Sequence, residues 1–406
     1  MPTHDMPRDR TSKRLAGLRA YAFAEIDRKV EELRRRGVKA TDFGVGDPTT
    51  PTPRIVRETC KRAVDRHASA GYPSYVGSAP FREAAASWMK RRFGVALDPA
   101  TEICATLGSK EAVFHAHEAF VNPADAVLCP SPGYPPSYRG TLFAEGRPVF
   151  YPLRESEGFR VPLGTFRKGD AARARFLWIC YPNNPTGAVA PATHLRRIVE
   201  ECQERGVTLF SDEAYTEMYF TREPPHSALE FGREGVLAFH SLSKRSAMTG
   251  YRVGFVAGDA RLVAAFKKLK TNIDSGVPNF VQDAAIAAWS DEKHVHAMRR
   301  DTRARRDALV DALARAGLPR CISDGTLYIW QRLPKGVSDV AFATRLLDPD
   351  IAVAVTPGSA IAEPLADGTN PGTGYVRFAL VPPLADTRAA GRRIGQWREP
   401  LREHRP

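Results

Sequence analysis

Apolar residues fall along the chain in short runs of four or five, and each run stops at a cluster of polar residues, glycine or proline. Ile103-Cys-Ala-Thr-Leu107 stops at Gly108-Ser109-Lys110, Ala126-Val-Leu-Cys129 precedes the turn around Gly133-Tyr134, and Phe176-Leu-Trp-Ile-Cys180 precedes Asn183-Asn-Pro-Thr-Gly187. Val207-Thr-Leu-Phe210 leads into Ser211-Asp212, and Val236-Leu-Ala-Phe-His240 leads into Ser241. Such runs predict five β-strands. Between two of them Leu195, Ile198, Val199 and Cys202 recur at helical spacing, with Gly206 placed to end the helix. Strand, helix, strand implies a parallel crossover, so the fold class is α/β with a mostly parallel sheet. A second helix starts after Gly108-Ser109-Lys110, and Phe23, Ile26, Val30 and Leu33 form the stripe of a third that Gly37 follows. Thr326-Leu-Tyr-Ile-Trp330 and Tyr375-Val-Arg-Phe-Ala-Leu380 read as strands of a smaller C-terminal unit.

Open α/β sheets take ligands beyond the carboxyl ends of their parallel strands, and the chemically useful residues collect there. Lys244 lies in Phe239-His-Ser-Leu-Ser-Lys244, while Asp212 and Tyr215 lie in Ser211-Asp-Glu-Ala-Tyr215. Pyridoxal phosphate needs an amine to form its Schiff base and a carboxylate to keep its pyridine nitrogen protonated. A phenol donating to its 3-oxygen lowers the proton affinity of the imine. Lys244, Asp212 and Tyr215 are the three groups in question. Taken singly, Lys244 reads as a solvated loop lysine and Asp212 as a strand-end cap; their shared sheet edge favours the chemical reading. The phosphate has candidate anchors in Gly108, Ser109 and Lys110 at a helix start, and in Ser241, Ser243 and Arg252.

Composition narrows the classes. With 406 residues, 43% of them hydrophobic, the chain can bury a large core. The first fourteen residues lack the apolar stretch of a signal peptide and no later run is long enough to span a membrane, so a soluble cytoplasmic protein is expected. Six scattered cysteines read as reduced, and no His or Cys pair has metal-binding spacing, so no metal is assigned. The net charge of +13 comes with arginines spread over helices, as in residues 299–306, which points to solvated faces and away from nucleic acid. Only 43 residues precede Gly44, too few for a DNA-reading domain ahead of a cofactor-binding regulator.

From Gly44-Val-Gly-Asp-Pro48 through Tyr72 with Gly77, Gly108-Ser-Lys110, Tyr134, Asn184-Pro-Thr-Gly187, Asp212-Glu-Ala-Tyr215 and Ser241-Leu-Ser-Lys244 to Gly250-Tyr-Arg252 and Tyr375-Val-Arg377, the chain resembles the fold-type I pyridoxal-phosphate aminotransferases of class I/II. Tyr21-Ala-Phe-Ala-Glu25 extends the match toward the N-terminus. The resemblance implies a three-layer fold with residues 49–292 as a large cofactor-binding domain, 293–406 as a small domain, and 1–48 joining the small one. It implies that Lys244 carries the cofactor and shuttles the proton between the substrate α-carbon and cofactor C4′, and that Asp212 pairs with the pyridinium. Tyr215 and Asn184 would bond the 3-oxygen, Tyr134 would stack on the ring, and Ser109, Ser241 and Arg252 would hold phosphate.

Further implications concern substrate and partner. Arg377 would grip the substrate α-carboxylate, helped by Asn184 and the Gly46 amide, and Tyr72 would reach the phosphate of a neighbouring subunit in a homodimer with shared active sites. Tyr75 is the competing tyrosine for that reach. The succinyldiaminopimelate and LL-diaminopimelate branch is most similar, with glutamate and 2-oxoglutarate as the common partner pair. Lys110 is then a candidate for a distal carboxylate, its alternative being plain solvent exposure. One departure stands out: after Val355-Thr-Pro-Gly-Ser359 many relatives continue Phe-Gly, whereas this chain has Ala360-Ile361 and a long loop over 363–374. A specialised enzyme of the same fold, acting by elimination, oxidation or cyclisation, is the second reading.

Overall fold

The computed structural model describes residues 11–16, 24–48, 50–167 and 169–398. Its centre is a seven-stranded sheet of β2 (Ile103–Thr106), β3 (Ala126–Ser131), β4 (Arg147–Pro152), β5 (Phe176–Cys180), β6 (Thr208–Asp212), β7 (Val236–Ser241) and β8 (Gly254–Gly258), in the order β2-β8-β7-β6-β5-β3-β4. Only β8 runs against the rest, pairing antiparallel with both β2 and β7. The five expected strands therefore all point the same way and open their carboxyl ends on one edge. β4 and β8 add to the expectation. Asp212 and Ser241 are the last residues of their strands, where the apolar runs alone placed them just beyond.

Most of these strands are apolar along their whole length because both faces are covered. Trp88, Phe255 and Trp289 pack on one side of the sheet, and Trp178, Phe210 and Phe239 pack on the other. The crossover helix Ala192–Glu204 buries Leu195, Ile198, Val199 and Cys202. Gly206 follows it at φ 65, and the Val207 amide closes back onto the Cys202 carbonyl at 2.9 Å, a turn that glycine makes without strain.

A second apolar cluster gathers Phe43, Leu313, Ile329, Phe342, Val353 and Phe378 around a three-stranded sheet of β9 (Tyr328–Arg332), β11 (Thr356–Pro357) and β12 (Tyr375–Ala379). The expected strand at 326–330 is thus two residues further on. The early segment joins this layer, because β1 (Thr41–Asp42) pairs with β10 (Val353–Ala354) and the Phe43 carbonyl accepts from the Ala379 amide at 2.7 Å. That stitching carries Gly44 and Gly46 to the rim of the central sheet. The first long helix, Ala24–Arg35, buries Leu33 against Leu347 and Ala354, with Val30 beside it. The stripe residue Phe23, the side chain of Ile26, and the motif residues before Ala24 lie outside the described residues. All six cysteines are free. Among the described residues no helix is long and apolar enough to cross a membrane, and no cluster of three or more His, Cys, Asp or Glu could hold a metal.

Candidate active site

A cavity of about 520 Å³ opens at the carboxyl edge of β5, β6 and β7. Lys244 reaches it from the one-turn helix Leu242–Arg245 that follows β7, and Ser241 caps this turn by accepting from the Ser243 amide at 3.1 Å. The Lys244 ammonium donates to the Gly46 carbonyl at 2.5 Å. Burial lowers the lysine's pKa, and the Arg252 and Arg377 charges add to that effect while Tyr328 and Asp47 oppose it. A lysine so held releases its proton more readily and becomes a nucleophile.

Asp212 lies beneath, 5% exposed, with one carboxylate oxygen accepting from the Ala214 amide at 3.2 Å. Burial pushes its carboxyl up to about 7; the Ala214 amide works against that and Glu213 adds to it. A cationic ring nitrogen against this oxygen would restore the charged form. Tyr215 is buried in the same wall and its hydroxyl donates to the Tyr328 phenol oxygen at 3.5 Å. Its pKa is raised well above the ordinary value, by burial first.

On the opposite side Arg252 sits at φ 52, donating to the Thr249 carbonyl at 2.8 Å, the Leu107 carbonyl at 3.1 Å and the Ser243 hydroxyl at 3.4 Å. Gly108, at φ 80, is required here: a Cβ would lie 2.5 Å from the Arg252 guanidinium. Ser109 and Lys110 open the helix Ser109–Phe120 and both line the cavity, Lys110 at its exposed margin. Guanidinium, hydroxyls and helix-start amides in one concavity suit a phosphate dianion.

The turn after β5 is built by Asn183, whose side chain accepts from the Thr186 amide and hydroxyl at 3.2 and 2.8 Å. Asn184 is thereby left facing the cavity, and its oxygen accepts from Arg377 at 3.4 Å. Arg377 also donates to the Gly44 carbonyl at 3.0 Å, while its buried Nε has no hydrogen-bond partner among the described residues.

The profile of the family described as aminotransferase class I and II matches residues 38–391. The chain belongs to this family. It is 42% identical over 386 residues to an LL-diaminopimelate aminotransferase of Aquifex aeolicus, covering 94% of this chain and 98% of that one. Among solved structures, an aminotransferase from Neisseria meningitidis superposes with a TM-score of 0.87 at 32% identity, covering 95% and 99% of the two chains. A Thermus thermophilus aspartate aminotransferase mutant superposes equally well, also at 0.87, with 28% identity and the same two coverages.

The protein is thus a pyridoxal-phosphate-dependent aminotransferase of fold type I, and the donor set fits the cofactor. A lysine of lowered pKa, a buried carboxyl that a ring cation would ionise, and an anion cradle occupy three sides of one cavity. Tyr134 lines it as well, half-buried, with its phenol pKa raised chiefly by burial and next by Asp212. Tyr72 stands apart from its own chain's cavity and is 87% exposed. Gly46 presents its carbonyl to Lys244, where the sequence suggested its amide toward substrate.

In this aminotransferase the loop after Ala360-Ile361 is tied back to the central sheet. The Ser131 hydroxyl donates to the Glu363 carbonyl at 2.6 Å and accepts from the Glu363 amide at 3.0 Å. Sequence reasoning passed over Tyr328, which lines the cavity and contacts Tyr215 and Arg377. The available signal was a polar-ended aromatic inside a strand otherwise fit for a core.

Proposed function

We propose that the enzyme exchanges an amino group between a diaminopimelate-type amino acid and the glutamate/2-oxoglutarate pair. The observation that carries the site reading is Arg377: a partly buried guanidinium whose buried Nε has no hydrogen-bond partner among the described residues, held by Asn184 and Gly44 beside the cavity that Lys244 and Asp212 share. Similarity to an LL-diaminopimelate aminotransferase over nearly the whole chain supports the substrate class. Lys110 at the exposed margin is the cation for a distal carboxylate.

Pyridoxal phosphate, when bound, supplies the electron sink that makes the substrate α-proton labile. Arg377 and Asn184 take the α-carboxylate and so fix which α-bond faces the ring. Lys244 would be the base that takes the α-proton and gives it back. Asp212 would hold the pyridine nitrogen in its protonated form. Tyr215 and Asn184 would donate to the 3-oxygen, Tyr134 would cover the ring, and Ser109, Ser241, Ser243 and Arg252 with the amides after Gly108 would neutralise the phosphate.

The same reading includes a homodimer. The exposed apolar residues Ile55, Val64, Tyr72, Tyr75 and Phe280 support it, as does a second cavity lined by Pro51, Cys60, Tyr251 and Phe280 next to Arg252. Tyr72 would complete the partner's phosphate site. Residues 49–292 and 293–406 form the two domains, with 1–48 joining the second, and the enzyme works in the cytoplasm.

The test is an absorbance spectrum of the purified protein with pyridoxal phosphate, taken as amino acids are added singly without air. Conversion of the visible band to the near-ultraviolet pyridoxamine form by glutamate and by LL-diaminopimelate is expected. Conversion by glutamate while diaminopimelate is inert would overturn the substrate class. Light scattering at a single subunit mass would overturn the dimer.

A further inference from the structure

Tyr328 stands where the substrate-binding and cofactor-binding sides of the site meet. Its aromatic ring lies under Arg377, whose guanidinium carbon is 4.4 Å from the ring centroid. The hydroxyl is 3.5 Å from that of Tyr215. Gly46 approaches so closely that a Cβ there would come within 1.9 Å of the Tyr328 oxygen. The residue is 5% exposed, with Met218, Leu327 and Val381 packed around it.

The backbone before it is set for this purpose. Thr326 is a β-branched residue at φ 67, a conformation such residues rarely adopt. It persists because neighbours over-determine it: the Gly325 amide donates to Gly187 at 2.8 Å, the Thr326 amide donates to Met218 at 2.6 Å, and the Thr326 hydroxyl accepts from the Tyr328 amide at 3.0 Å. A Cβ on Gly325 would sit 2.8 Å from Pro182. The strand that carries Tyr328 is therefore anchored against the turn that carries Asn184, and the ring enters the site at a fixed angle.

We propose that Tyr328 is a positioning residue for both halves of the reaction site, its ring face seating the Arg377 guanidinium for the substrate carboxylate and its hydroxyl seating the phenol of Tyr215. The ring face attracts the cation and fills the space beneath it, so Arg377 is held in place beside the cavity and loses less rotamer freedom each time substrate binds. When the Tyr215 proton points at the cofactor, the Tyr328 hydroxyl becomes the donor to the Tyr215 oxygen and strengthens the outgoing bond.

The inference rests on Arg377 being the carboxylate clamp, and the experiment separates the two. Holoenzymes carrying Tyr328→Phe, Tyr328→Leu and Arg377→Lys are titrated calorimetrically with glutarate, a dicarboxylate that lacks an amino group, and their visible absorbance is followed against pH. Tyr328→Leu is expected to weaken glutarate binding about tenfold, the loss of one desolvated cation–aromatic contact. Tyr328→Phe keeps the ring, binds glutarate within about twofold of the parent, and moves the pH midpoint of the visible band upward by roughly a few tenths of a unit. Parent-like glutarate binding by Tyr328→Leu, or an equal loss in Tyr328→Phe, overturns the ring's role. An unmoved midpoint in Tyr328→Phe overturns the hydroxyl's. If Arg377→Lys also binds glutarate as the parent does, the clamp reading itself fails and takes this proposal with it.

Discussion

The two halves of the site are built by opposite means. On the proposed cofactor side, Asp212 ends one strand and Lys244 follows its parallel neighbour, so each is delivered by its own strand end or the turn after it. On the proposed substrate side, Arg377 is set by the Gly44 carbonyl, 333 residues away in sequence, and by Asn184, 193 residues away. One half is a set of local decisions registered by a rigid sheet. The other exists only when a second layer has docked, so its geometry responds to packing and its failures should appear in substrate binding before they appear in cofactor binding.

The largest effect belongs to the local half. Lys244→Ala removes the amine proposed to bond the cofactor and move the proton, and turnover should fall by about 10⁴-fold or more. Borohydride should no longer fix the cofactor to the chain, which mass spectrometry reads directly. A variant that retained either property at the parent level would remove Lys244 from the chemistry. Arg377→Lys should act on the other half alone: an ammonium cannot make the planar fork, so amino-acid KM should rise about 10²-fold while the cofactor Kd changes by no more than about threefold. Equal losses of both would mean that Arg377 serves the fold of the whole molecule.

This asymmetry also governs what the sequence discloses. Five apolar runs and the polar residues after them suffice to place Asp212, Lys244 and Ser109 on one edge, because strand direction and strand ends are short-range properties. β4 was hidden by its two prolines and mixed exposure at the sheet margin, and β8 by glycines at both ends and its reversed direction. Tyr328 was hidden for a different reason. An aromatic within a strand is ordinarily core, and only the approach of Gly46, Tyr215 and Arg377 from three distant segments gives it another role.

A third experiment sharpens the cofactor side through pH. In the cofactor-free protein the Asp212 carboxyl is pushed up to about 7 by burial, above its ordinary 3.8. Between those values the folded state holds a proton that the unfolded state has released, so stability falls as pH rises through that window. Asp212→Asn buries no charge, and the cofactor-free variant should be more stable than its parent at pH 8 by about 4 kcal/mol and indistinguishable from it near pH 3. With cofactor the order reverses, because the amide cannot hold the ring nitrogen protonated. Denaturant midpoints at the two pH values, with and without pyridoxal phosphate, check both signs. A pH-independent difference in the cofactor-free protein would remove the titration argument.

The smallest expected effect lies on the seam between the halves. Glu155, in a turn between β4 and β5, accepts from the Tyr375 hydroxyl at 3.0 Å and lies 3.0 Å from Arg332, so it ties the three-stranded layer to the central sheet. The pair with Arg332 is partly open to water, where such contacts are worth about 0–1 kcal/mol. Glu155→Gln keeps an acceptor for Tyr375 and loses the charge, so the melting temperature should drop by no more than about 2 °C. If the substrate half depends on docking and the cofactor half does not, even this small change should raise amino-acid KM by about twofold to fivefold while leaving cofactor Kd within error. A matched rise in both constants would mean that the two halves respond to packing together, and the division between them would fall.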